Sequence, residues 1–497
     1  MGEASPLGAT RERRGAGGLA PWLVVSAALL AYANSFAGSF QFDDWNVIVD
    51  EPRVASLSAW WSSMPGIRPL LKLTFAANRA SGAGLAGFHA VNLAVHLSSA
   101  FLAWALLRRL AARLGSPPAA ALLGALFFAV HPVQTEAVTY VSGRSSSLAG
   151  ALALGSALAW VAGRERERAW MWAGLSPLLM LLSLGAKETA LALPAALLLL
   201  EGVAGPRPFS WRRALRGVAP HLAVLAAAAA GFLASPIYRR MAARSLELRE
   251  PWTNLLTHVQ ALGWLAGQVV RLDRLNADPA LPAVDALSPS IVLAGLGLLG
   301  ALGAGLALLR RRPATAFGIL WFLLWLPLAG WALPRADPAS ERQLYLALLG
   351  PGWLAGLVLA RGLAGEAREG PARGTSAGPG AEARPGAGAA PGTAGRRIAL
   401  ALALVAALAA ATALRNRVYR DEVAFWEDVA AKSPHSARAH NNLGVALAGR
   451  CRIAEAEASF HRALEAYPRQ FRAAVNLELL SEGKALGPRA PPCPAMR

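Results

Sequence analysis

Two adjacent carboxylates, Asp43 and Asp44, follow the first long apolar run of the chain. A carboxylate placed there has the chemistry of a general base, accepting a proton from a hydroxyl as that hydroxyl attacks. Alone, the pair reads better as a solvated loop or a helix cap. The chain carries more. HPVQTEAVTYVSGRSSS (131–147) supplies His131, Glu136 and Arg144; LGAKETALALP (184–194) supplies Lys187 and Glu188; ASERQLYLALL (339–349) supplies Glu341, Arg342 and Tyr345. Arg and Lys bind phosphate oxygens through charge-assisted hydrogen bonds, and they stabilise a phosphate leaving group as charge develops on it. Ionisable groups at the ends of apolar segments are costly to hold there and mark function by default. The plainer explanation is mutual neutralisation, with Lys187 beside Glu188, and arginines reaching toward the interface.

Other polar residues point elsewhere. His89, Asn92 and His96 lie at i, i+3 and i+7, one face of a helix. That spacing fits hydrogen bonds between helices better than a metal site, and no metal or other cofactor is expected. No Gly-rich nucleotide loop is found: GxxxxGK[ST] is absent and the GxGxxG spacing occurs only beside or inside apolar helical runs (82–87 and 295–300), with no predicted strand before it, which disfavours a soluble nucleotide-sugar donor and an ATP-driven pump.

The elements that position these residues are apolar. Of 497 residues, 55% are hydrophobic and 16% charged, against about 25% charged in soluble domains. Apolar runs near the length that crosses a bilayer recur at 19–36, 86–107, 118–131, 146–163, 169–185, 189–204, 216–235, 290–309, 314–333, 342–360 and 398–414. The predicted fold is an all-α polytopic helical membrane protein of about 11–12 spans. The net charge of +19 is then a matter of orientation rather than of nucleic-acid binding, and no nucleic-acid partner is expected. Arginines gather on every second connection: Arg11, Arg13 and Arg14; Arg108, Arg109 and Arg113; Arg164, Arg166 and Arg168; Arg207, Arg212, Arg213 and Arg216; Arg310, Arg311 and Arg312; and six between 361 and 397. This alternation puts Asp44, Glu136, Arg144, Lys187 and Arg342 together on the opposite, outer side. Residues 237–250, with Arg239, Arg240, Arg244 and Arg249, break the pattern, so the apolar stretch 253–270 is expected to be interfacial or re-entrant.

The chain divides accordingly into a cytoplasmic tail (1–18), a transmembrane domain (19–363) with an outer loop at 37–84, a Gly/Ala/Pro/Arg-rich linker (364–396), a last transmembrane helix (397–414), a soluble helical part (415–480) and a disordered tail (481–497). Segment 437–470 has the length of one tetratricopeptide unit. Leu443, Gly444, Leu447, Ala456, Phe460, Ala463 and Pro468 fall at its packing positions, with Gly444 and Ala456 letting two helices approach closely. Residues 421–435 read as the second helix of a preceding unit, and a third unit begins near Leu477. One repeat is either a binding module or a cap on its own membrane domain. The two cysteines, Cys451 and Cys493, have no metal-type spacing and can pair only with each other.

The chain resembles the polytopic GT-C glycosyltransferases and, within them, the transmembrane and tetratricopeptide repeat-containing O-mannosyltransferase-like family with its bacterial relatives. The resemblance rests on FDDWNVI (42–48), RPLLKLTFAANRASG (68–82), FHAVNLAVH (88–96), LFFAVHPVQTEAVTYVSGRSSSLA (126–149), KETALALP (187–194), LNADP (275–279), SERQLYL (340–346), RNRVYRDEVAFWEDVAAKSP (415–434) and the repeat after them. It implies inverting transfer of mannose or another hexose from a polyprenyl-phosphate donor to a hydroxyl acceptor, protein Ser/Thr or a glycan, at the outer face, with the repeat as the acceptor's binding module. It places the catalytic aspartate at Asp43–Asp44, Asp44 first; the lipid phosphate on Arg144, Lys187 and Arg342; and Glu136, His131, Glu188 and Tyr345 in the pocket. The short repeat array and the Ala/Arg-rich composition imply a bacterial inner membrane with the repeat in the periplasm. The competing readings are a non-catalytic scaffold that displays the repeat, and a lipid flippase, which would need internal inverted repeats that are not found.

Overall fold

The computed structural model describes residues 8–64, 66–327, 330, 332–364, 392–487, 490 and 493. Most of the linker expected at 364–396 lies outside the described residues. Among those described there are helices and turns and no strand. Each of the eleven expected apolar segments contains a helix, as lipid requires of a backbone with no water to bond.

Six helices are long and apolar enough to cross a bilayer alone: Gly18–Ala37, Gly84–Arg113, Val141–Glu165, Trp211–Ala234, Pro289–Arg311 and Gly395–Tyr419. A bent pair among the described residues, Pro118–Val130 and Pro132–Val138, turned by 47°, passes the same test of length and hydropathy when taken together. This count is lower than the hydropathy pattern predicts. The difference lies in segments that open as 3-10 turns before their helix, at Glu188–Ala192 and Glu341–Leu344, and in the short helix Pro313–Trp325. Residues 253–270 also depart from expectation in form. They make one helix, Pro251–Gln268, without the reversal that a re-entrant loop requires.

Small residues let the bundle close. A Cβ on Gly356 would sit 2.2 Å from the Ala120 carbonyl oxygen, and one on Gly350 would sit 2.3 Å from that of Gly318. The helices Pro118–Val130, Pro313–Trp325 and Leu349–Ala364 therefore touch backbone to backbone. One continuous apolar core fills the space around them.

The helix Arg144–Glu165 defines the two ends of this bundle. Its 22 residues rise about 33 Å, a bilayer's hydrocarbon thickness. At its far end Glu165 pairs with Arg109 and Arg113, and nearby Glu201 receives Arg164 and Arg213. At its near end Ser142 meets the loop that carries Asp43 and Asp44.

The soluble part follows the repeat pattern. Its helices are Glu422–Lys432, Ala437–Ala448, Ile453–Ala466 and Phe471–Ser481. Gly444 lies against the ring of Phe460, 2.5 Å from where a Cβ would stand, so the close approach read from the sequence is real. The segment expected to be a disordered tail is tied back instead. Cys493 is disulfide-bonded to Cys451 and buried, and the Leu486 N–H donates to the Ala490 carbonyl.

This domain is docked on the membrane domain. Asn276 and Asp278, within LNADP, bond Ser433 and Arg438 respectively; Lys432 Nζ donates to the Leu275 carbonyl at 2.7 Å. Arg415 pairs with Asp428 at 2.7 Å, and Phe42 packs edge-on against Trp426. The cap reading of the repeat is thus correct in geometry, and the cap sits on the loop of the two aspartates.

Candidate active site

Phe42 adopts a left-handed backbone conformation, φ 38°. Such a conformation in a bulky residue is strained and persists only where surrounding contacts hold it. Here they are Trp426 on one side and the Arg438 guanidinium, 5.6 Å from the ring, on the other. A π-turn, Trp45–Val49, follows at once, and Arg79 fixes it by donating to the Ile48 and Val49 carbonyls. The consequence is that Asp43 and Asp44 face different surroundings.

Asp44 is fully buried. Its Oδ1 accepts from the Ser142 N–H at 2.7 Å and its Oδ2 from the Gln41 N–H at 3.0 Å. Burial pushes its carboxyl up to about 7, against the pull of those backbone donors. Asp43 has a side chain 38% exposed, and its Oδ2 lies 3.4 Å from Arg342 Nη2. Its own N–H donates to the Tyr140 hydroxyl at 2.8 Å. Asp44, placed first from the sequence, is thus the buried carboxylate of the pair, tied to the loop by two backbone N–H groups, and Asp43 is the more accessible one.

Arg342 is the centre of the group. It reaches Asp43, stacks 5.5 Å above the Tyr140 ring and lies 3.4 Å from Glu136 Oε1. Glu136 is buried and holds the 340–342 turn: Ser340 Oγ–H donates to Oε1 at 2.6 Å and the Arg342 N–H to Oε2 at 2.9 Å. Lys187 is buried too, and its ammonium donates to Ser146 Oγ at 2.6 Å. Burial first, then the nearby Arg342, Arg68 and Arg335, push that ammonium well below the ordinary lysine range, with Glu188 opposing. A cation in that state gains free energy from an anion placed beside it. Glu188 is committed elsewhere, in a two-point pair with Arg68 at 2.9 and 3.0 Å. Burial opposes its ionisation, but Arg68 outweighs it and holds the carboxyl at about 2.

Three expected site residues lie away from this group. Arg144 is fully buried: Nε donates to Asn92 Oδ1 at 2.6 Å, Nη1 to Thr74 and Nη2 to the Phe88 carbonyl, with the Phe75 ring 4.8 Å beneath. It faces protein on all sides, where a phosphate-binding role had been expected. His131 joins two helices, with Nε2 on the Val269 carbonyl at 3.0 Å and Nδ1 accepting from the Val133 N–H. Tyr345 is in the core, its hydroxyl 2.8 Å from His96 Nδ1, while His96 Nε2 meets the Ala129 carbonyl. Asn92 Nδ2 is shared among the Val138, Tyr140 and Val141 carbonyls, which is the interhelical bonding that the i, i+3, i+7 spacing implied. No group of three or more metal-ligating side chains occurs among the described residues.

The sequence reasoning passed over Arg68, Tyr140, Ser340 and Arg335. The first three stand inside the motifs quoted above. Arg68 is further marked by Pro69, which follows it and opens the helix Pro69–Ala80; its own backbone is left-handed at φ 50°.

Comparison with known proteins adds the lineage. The chain is 34% identical over 152 residues to the human protein O-mannosyl-transferase TMTC4, a stretch that is 25% of this chain and 20% of that protein. Over that stretch the chain is similar to the TMTC protein O-mannosyl-transferases. It is also 32% identical over 188 residues to Tmtc2 of Drosophila melanogaster (33% of this chain, 20% of the relative) and 34% over 162 residues to human TMTC1 (28% and 18%). The chain spans about a fifth of the length of these curated relatives. No family model matches it.

Proposed function

We propose that the chain is a membrane glycosyltransferase that moves mannose or another hexose from a polyprenyl-phosphate donor to a hydroxyl of a protein acceptor. The observation that carries this reading is the pairing of a partly exposed carboxylate, Asp43, with Arg342, whose charge also acts on the buried Lys187, both cations retaining unused N–H donors at one end of a helical bundle. In this reading Asp43 takes the acceptor's proton as its oxygen attacks the sugar. The bond from the sugar to the phosphate oxygen breaks, and Lys187 and Arg342 stabilise the departing polyprenyl phosphate. Asp44 and Glu136 act as positioning residues, through Ser142 and through Ser340. Arg144 supports the fold behind them.

The orientation has two supports. The far end of the bundle carries the arginine clusters that stay in the cytoplasm. The repeat, docked at the Asp43 end, carries a disulfide, which persists in oxidising compartments. Both favour an active site on the outer, periplasmic or lumenal, side. The O-mannosyl-transferase names of the relatives support mannose as the sugar.

The test is transfer in proteoliposomes from radiolabelled polyprenyl-phosphate mannose, comparing wild type with Asp43→Asn. Loss of lipid label and its appearance on protein, dependent on Asp43, is the expected result. Full activity in folded Asp43→Asn would remove the assignment of the base.

A further inference from the structure

A cleft of about 680 Å³ lies between the repeat and the membrane domain. That volume falls within the ~300–1,000 Å³ of typical ligand sites, room for a short extended segment rather than a folded domain. Phe42 is part of its lining, and the next residue along the chain is Asp43, so the cleft opens at the loop of the two aspartates.

The lining is built from two sources with different charge. Arg438 is neutralised in place: it bonds both Asp278 and Asp337 of the membrane domain, at 2.8 and 2.7 Å. Arg469 and Arg472, from the repeat, are exposed, lie on the cleft and belong to no ion pair. Three arginines against the two aspartates leave the lining one positive charge, carried on the Arg469 and Arg472 side. The amides of the first repeat helix add a second signal. Asn476 Nδ2 donates to Asn441 Oδ1 at 3.0 Å, and Asn441 Nδ2 donates to Asn442 Oδ1 at 3.2 Å. This relay leaves the Nδ2 donors of Asn442 unused at the cleft. An amide donor of this kind suits a peptide carbonyl.

We propose that this cleft seats the acceptor as an extended peptide, and that Arg469 and Arg472 select one with acidic side chains close to the accepting hydroxyl. The inference rests on the transfer reading above for its role, but its binding claim can be read alone. Asn442 holds the peptide backbone, the two arginines hold the acidic flank, and the Phe42 end delivers a Ser or Thr hydroxyl to Asp43.

The experiment uses the full chain in neutral-lipid nanodiscs, without donor. Fluorescein-labelled Ser/Thr peptides of one length, flanked by Glu, Gln or Lys, are titrated by anisotropy. The expected order of affinity is Glu over Gln over Lys, about tenfold between the extremes at low salt, compressed at high salt. R469E/R472E inverts the order. R450E/R462E, with the same charge change at exposed positions outside the cleft, leaves it unchanged. Equal binding of the three peptides, or an order that survives R469E/R472E, overturns the proposal. So does displacement by a single-stranded oligonucleotide as effective as the acidic peptide at equal charge, which would make the cleft a general polyanion surface. Selective binding that responds to R469E/R472E, in a protein that labels no peptide, sustains the cleft and overturns the transfer reading alone.

Discussion

Two buried polar groups in this bundle differ in one respect, and the difference separates structure from chemistry. Around Asn92, the groups of Arg144, Asn92 and His96 are engaged by protein partners. Arg144 bonds Asn92, Thr74 and Phe88; Asn92 also serves three carbonyls; His96 sits between Tyr345 and Ala129. Around Arg342, capacity is left over. Lys187 has three N–H donors and one hydrogen bond, and Asp43 keeps a partly exposed carboxylate. A saturated buried network holds a fold together. A cluster of cations that keeps free donors, one of them depressed by burial and then by its like-charged neighbours, has capacity for a further anion.

The contrast can be broken at several points. The largest effect is expected at Asp43. Asp43→Asn should lower transfer by about 10²–10⁴-fold while thermal unfolding in detergent stays where it is; a matching loss of stability would move Asp43 into the structural group. Arg144 is the mirror case. Arg144→Gln should cost about 1–3 kcal/mol of stability, because it leaves buried acceptors of Asn92, Thr74 and Phe88 without their donor, and Arg144→Lys should recover little, since one ammonium cannot reach three partners in the guanidinium plane. Unfolding monitored by fluorescence in detergent reports both, and a stable, inactive Arg144→Lys would return Arg144 to the donor site.

Lys187→Met is expected to raise the donor's KM by about tenfold or more, the worth of a charge-assisted hydrogen bond, with folding intact; an unchanged KM would remove Lys187 from the phosphate site. Tyr345→Phe leaves His96 Nδ1 without its donor and should cost about 1–3 kcal/mol of stability, with the rate per folded molecule unaltered in the same assay.

The smallest effect is a slope. Asp44 titrates near 3.9 in an unfolded chain and at about 7 in the folded one. Between those values the folded state holds a proton that the unfolded state has lost, so stability falls as pH rises from about 4 to about 7 and levels above. Glu341, pushed by burial to about 7 against the pull of Arg415, contributes in the same direction. Asp44→Asn should flatten part of this slope in a Tm series against pH. Parallel curves for the two proteins would exclude Asp44 as its source.

Much was legible in the sequence because its causes are local. Apolar period and length identify the helices, alternate arginine clusters identify one end of the bundle, and the Leu443–Pro468 spacing identifies the repeat whose Gly444 does meet Phe460. The sequence also named Asp43, Glu136, Lys187 and Arg342, though not Arg68 or Arg335. What it could not rank was which of them remain free. Saturation depends on partners far along the chain: Arg144 finds Asn92 and Thr74, 52 and 70 residues away, and Glu136 finds Ser340, 204 residues away. The order of Asp43 and Asp44 was decided in the same way. Neighbours in sequence, they differ because Asp44 accepts from the Gln41 and Ser142 N–H groups while Asp43 meets Arg342, 299 residues away, on a loop whose left-handed residue Phe42 packs against Trp426 and Arg438. Residue type and spacing thus determined the inventory of this protein, while hydrogen-bond saturation and burial, which exist only once distant segments pack, decided the role of each member.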